Sequence, residues 1–89
     1  MINSDAQIAE NSMEVYLQEC RLKVGKSIKE IREKKGYNQE QLAEIMQISR
    51  STISKIENGK FNCSIDYISK FSWFLGFDLS ISINKNKNK

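Results

Sequence analysis

Two helix starts stand only eleven residues apart in this chain, and no other feature limits its fold as much. Asn38 can cap a helix, and Gln41, three residues on, supplies the reciprocal partner of a capping box. Tyr37 and Leu42 sit where the two ends of a hydrophobic staple belong. The same grammar returns at Ser49, with Ile48 before the cap and Ile53 at the fourth helical position. Two capped starts this close leave about two turns for the first helix. They leave only a tight turn, around Gln47 and Ile48, before the second. Two short helices joined in this way form a helix-turn-helix unit.

The second helix of the pair has a divided surface. Ile53 and Ile56 are three residues apart and must face a core. Arg50, Ser51, Ser54, Lys55 and Asn58 lie on the other side. All five bear polar groups and none is acidic. A basic, Lys-rich solvated face would account for the charge alone. In a chain with eleven acids, such a face would more often include one of them.

The flanking sequence is punctuated by polar caps and glycines, because the chain has no proline. Met13, Tyr16, Leu17, Cys20 and Val24 follow helical spacing, with Ser4 or Asp5 as a cap. Leu22, Val24, Ile28 and Ile31 continue it through residues 22–35, up to Gly36. Whether Gly25 separates these two stretches is left open by the pattern. A further helix is predicted over residues 64–75, capped by Ser64 and closed by Gly76. Its apolar groups cover more than one face, so the helix is deeply packed or makes a further contact, and its aromatics are expected in the core rather than on a nucleotide-stacking surface. The period then changes to two: Phe77, Leu79, Ile81 and Ile83 alternate with polar residues, which predicts a strand. A lone strand needs a partner, and the economical one is the same strand of a second copy.

Length and composition bound the rest. Eighty-nine residues allow one small domain. There are no histidines, which removes His-based triads and His metal sites. Cys20 and Cys63 are too few for a disulfide scaffold; no metal and no cofactor is expected. No apolar run approaches the roughly 20 residues of a membrane span, and residues 1–20 lack the basic start of a secretory signal. A protein of the reduced cytoplasm is expected, with no membrane partner. Charge is segregated: residues 1–20 carry four acids and no base, whereas residues 21–60 carry ten Lys/Arg and five Glu. A basic middle suits a polyanion, and an acidic N-terminal segment suits a different surface. Four segments follow: an acidic N-terminal helical extension (1–21), a helix-turn-helix domain (22–76), a dimerisation strand (77–83) and a disordered basic tail (84–89).

The stretch from Asn38 to Gly59, NQEQLAEIMQISRSTISKIENG, resembles the helix-turn-helix family of the lambda-like phage repressors and Cro proteins, the XRE family. The resemblance runs from about Val24 to Gly76. It implies an all-α, lambda-repressor-like bundle of about five helices whose third helix lies in the major groove of DNA. By the same resemblance Arg50, Ser51 and Lys55 match base-contacting places, with Thr52 and Ser54 as supplementary contacts. Gln39, Ser49, Asn58 and Lys60 match places that touch phosphate. Arg32 and Glu57 match an ion pair joining the first helix to the end of the third. Gln47 stands where the family usually has Gly, and Cys63 where it often has Pro; Cys63 is expected as a buried filler.

The function implied is occupancy of double-stranded DNA without chemistry, by a prokaryotic protein held on the nucleoid when bound. A homodimeric repressor reading an inverted-repeat operator is expected, with Phe77, Leu79, Ile81 and Ile83 as its dimerisation residues. The alternative is an antitoxin that regulates its own operon and meets a toxin through the acidic N-terminal segment. An enzyme is not expected: the sequence has neither a metal constellation nor a phosphate loop.

Overall fold

The computed structural model describes residues 4–80, with side chains from residue 12 onward, as four α-helices and no strand. Helix α1 spans Ser4–Lys34, α2 Gln39–Met46, α3 Arg50–Glu57 and α4 Ile65–Leu75. The bundle expected from the resemblance has about five helices. Here the N-terminal extension and the first helix of the domain are a single helix of 31 residues, about 46 Å long, and the 21/22 boundary falls inside it. Among the described residues no helix is long and apolar enough to cross a membrane.

Gly25 lies inside α1 without interrupting it, and its role is steric. A Cβ at this position would run into the main-chain carbonyl of Ile56 and approach that of Glu57 to 2.8 Å. The missing side chain lets the end of α3 lie directly on α1. Leu22, one turn earlier, packs over Gly59, where an added Cβ would fall 2.8 Å from the leucine side chain. Gly59 itself takes φ +70°, a left-handed conformation that glycine adopts without Cβ strain. Gln18 adds a side-chain bond to the Gly59 carbonyl at 3.3 Å.

The core sits where α1, α2, α3 and α4 converge: Ile28, Leu42, Ala43, Met46, Ile53, Ile56, Phe71 and Leu75 are all buried. Each of the larger side chains contributes about 1.5–3 kcal/mol by leaving water. Ile31, Tyr37, Ile48, Phe61, Cys63, Tyr67 and Phe77 close its edges. Tyr67 bridges Phe61, edge-on at 5.4 Å, and Phe71, stacked at 6.2 Å. Cys63, expected as a buried filler, is half-buried, and that burial pushes its thiol above its ordinary pKa and favours the protonated form.

The aromatics of α4 divide. Phe71 is fully buried, whereas Trp73 is 82% exposed and Phe74 is also exposed. The expectation that this set is core holds for Phe71 and for Tyr67, which packs against the core, and fails for Trp73. Beyond α4, residues 77–80 form no regular structure. The Phe77 carbonyl accepts from the Ser72 hydroxyl and its ring packs on the core, tying the segment back to its own chain. Leu79 is exposed, and Ile81 and Ile83 of the expected strand lie outside the described residues. A strand requires a ladder partner, and one copy offers none.

Gly25→Ala tests the α1–α3 contact. Alanine is the better helix former by about 1 kcal/mol, so an unobstructed site would gain stability. Against the α3 carbonyls the expected result is a loss of about 1–3 kcal/mol in urea unfolding; an unchanged or higher midpoint would contradict the contact.

Candidate nucleic-acid interface

The site is built from caps and one turn. Asn38 Oδ1 accepts from the Gln41 N–H at 2.7 Å, and Gln41 Oε1 accepts from the Asn38 N–H at 2.8 Å, closing the capping box of α2. Helix α2 ends at Gln47, which sits at φ 58°, ψ 45°; the next N–H, of Ile48, bonds back to the Ala43 carbonyl at 3.0 Å. The turn is left-handed at a residue other than glycine, which costs on the order of 1 kcal/mol to hold there. Ser49 caps α3 by accepting from the Thr52 N–H at 3.1 Å, and its hydroxyl also pairs with that of Thr52 at 2.8 Å. Only Ser49 lies between the turn and the first residue of α3.

These joints fix which side of α3 faces out. Ile53 and Ile56 are 0% and 2% exposed, while Arg50, Ser51 and Lys55 stand in solvent and Thr52 and Ser54 are half-buried. No acid occupies the first turn of α3. Asn58 is folded back on the helix end, its amide donating to the Ser54 carbonyl at 2.8 Å. Lys60 is exposed, and its N–H bonds to the Lys55 carbonyl at 2.8 Å. Arg32, Asn38, Gln39, Glu40 and Arg50 line one open depression of about 390 Å³ where α1, α2 and α3 meet.

Beneath that depression lies a buried ion pair. Arg32 Nε donates to Glu57 at 2.7 Å and its terminal nitrogen donates to the other carboxylate oxygen at 3.1 Å, a bidentate fork. The side chains are 6% and 2% exposed. Hydrogen bonding to Glu57 raises the Arg32 pKa, outweighing the burial that acts against the charge. The remaining Arg32 nitrogen reaches the Tyr37 carbonyl at 2.7 Å. Glu57 ends α3, where the helix dipole disfavours an acid; Arg32 offsets that. Gln39 Nε2 also donates to Glu57, at 3.0 Å. The pattern of residues suggested Arg32–Glu57 only through family likeness and did not signal the Gln39 bond, which joins positions 18 residues apart.

Residues 28–81, more than half of the chain, match the family described as helix-turn-helix. The chain belongs to the XRE family of helix-turn-helix DNA-binding proteins. It is a DNA-binding transcription regulator by that membership, and the matched residues hold α2, the turn and α3. The chain significantly matches no curated protein and no solved structure.

In this XRE-family protein, removing one half of the ion pair strands the other in the interior. Glu57→Ala is expected to cost about 3–5 kcal/mol, whereas Arg32→Met combined with Glu57→Leu restores most of the loss. A double variant as unstable as the single one would show that the fork has no such part.

Proposed function

We propose that the protein is a homodimeric repressor that reads an inverted-repeat operator through the major groove. The observation that supports this most is the acid-free outer face of α3, with Arg50, Ser51 and Lys55 in solvent directly above two buried isoleucines. Arg50 and Lys55 can each donate to the O6 and N7 acceptors of guanine, contacts worth roughly 1–3 kcal/mol of discrimination. Ser51, Thr52 and Ser54 suit several bases. Thr52, already bonded to Ser49, has the least freedom among them.

Affinity comes from phosphate. Gln39 has one amide hydrogen engaged by Glu57 and the other free for an oxyanion, beside the N–H groups that open α2. Ser49 and Lys60 flank α3 at its two ends, and Lys60 releases counterions as it approaches the backbone. Asn58, bonded to its own helix end, supports α3 and approaches phosphate only through that end. Two copies about a two-fold axis would carry two recognition helices one DNA turn apart, roughly 34 Å. Seated over a promoter, such a dimer excludes polymerase.

One observation favours a second reading, an antitoxin. The acidic half of α1 carries the exposed apolar residues Met13, Val15, Tyr16 and Leu17. A defined toxin chain forming a stable complex with the full-length protein would support that reading.

Selection of bound duplexes from a random pool tests the repressor reading, with an inverted repeat as the expected product. Arg50→Ala should flatten preference at one position of each half-site while leaving others; undiminished selectivity would refute base reading by Arg50. Lys60→Ala should weaken all duplexes alike and lower the salt slope by about one unit.

A further inference from the structure

Helix α1 separates two ends of the molecule. Arg32, on its C-terminal side, lines the depression shared with Gln39 and Arg50. Glu14 lies 18 residues earlier on the same helix, about 27 Å away. Gln18 and Leu22 lie against Gly59 at the end of α3, but the start of α1 is distant from that depression. Met13, Tyr16 and Leu17 are 57%, 64% and 45% exposed there, and Val24 and half-buried Cys20 continue the same side of the helix.

The spacing of that side is specific. Met13, Leu17, Cys20 and Val24 are separated by four, three and four residues, the alternation of a coiled-coil seam. The helix is also polarised: residues 1–20 carry four acids and no base, and residues 21–35 carry seven bases and two acids. Parallel copies would set like charges side by side. Antiparallel copies set the acidic half of each against the basic half of the other.

We propose that a second copy of this chain docks on this side, α1 against α1, antiparallel about a two-fold axis near residue 18. This deepens the dimeric part of the repressor reading by naming its contact surface. In that register Met13 meets the partner's Val24 and Leu17 meets the partner's Cys20. A two-fold normal to the helix pair brings the same flank of each helix together. Glu14 then lies against the partner's Arg21, and Tyr16 against the partner's Lys23. Every residue used is exposed or half-buried in one copy, and Cys20, Arg21 and Val24 also border a small cavity that Ile56, Phe61 and Ile68 of the same chain line. The paired stretch is short, so the dimer expected is a weak one that is consolidated on DNA.

Sedimentation equilibrium of the full chain tests this. Glu14→Arg and Arg21→Glu should each weaken the dimer about tenfold, since each turns two symmetric attractions into repulsions. The two together should restore it. Leu17→Lys, in the middle of the seam, should leave a monomer with unchanged helicity by circular dichroism. Deleting residues 81–89 should leave the dimer intact. The proposal is overturned if the wild type is a monomer at high concentration, if the charge swaps act without mutual rescue, or if the tail deletion alone dissociates the dimer. Binding to a duplex with a single half-site is read alongside. It should be unchanged in all of these variants, and its loss in the wild type would count against the DNA reading and not against the α1 contact.

Discussion

The Arg32–Glu57 fork is the joint on which the reading head depends. It ties the C-terminal side of α1 to the last residue of α3, and through Gln39 it reaches the first residue of α2. Three helices of 31, 8 and 8 residues thus meet at one carboxylate. Helices of two turns have little stability of their own in water. Their orientation is imposed by this joint, by the caps at Asn38 and Ser49, and by the isoleucines and leucine beneath. A buried ion pair is weak evidence for stability, because desolvation consumes most of the Coulombic gain. Its contribution here is directional: the guanidinium fork admits a narrow range of geometries, which sets the angle at which α3 offers Arg50 and Lys55.

The second organising element is the length of α1. Its C-terminal half is part of the bundle, with Gly25 allowing main-chain contact with α3. Its N-terminal half leaves the bundle with an acidic composition and an exposed seam. A single rigid helix thereby holds surfaces of opposite sign apart: the basic one suits phosphate and the acidic one a protein. Segregation along one helix explains how a small chain with a modest net charge of +3 can carry a strongly basic face.

Much of this was legible in the residues. The caps of α2, α3 and α4 are local, short-range chemistry, and the structure has them at Asn38, Ser49 and Ser64, with Gln41 closing the box of α2. The inward turn of Ile53 and Ile56 follows from their spacing alone. What the pattern did not carry depends on contacts between distant residues. Gly25 is silent in sequence because its meaning lies in the α3 carbonyls, over thirty residues away. Trp73 has the composition of a core residue, and only the packing of α4 leaves it in solvent. The Gln39–Glu57 bond likewise requires α2 and α3 to be in place first. Alternation after Gly76 suggested a strand, but alternation describes faces and not partners, and Phe77 finds its partner in its own core.

The surface proposed for DNA joins the solvent side of α3 to the start of α2. The most direct measurement is an amide-resolved NMR titration with a duplex recovered by selection. The largest shifts should fall on residues 38–41 and 49–60. Shifts centred on α4 around Trp73, with residues 50–55 silent, would contradict it.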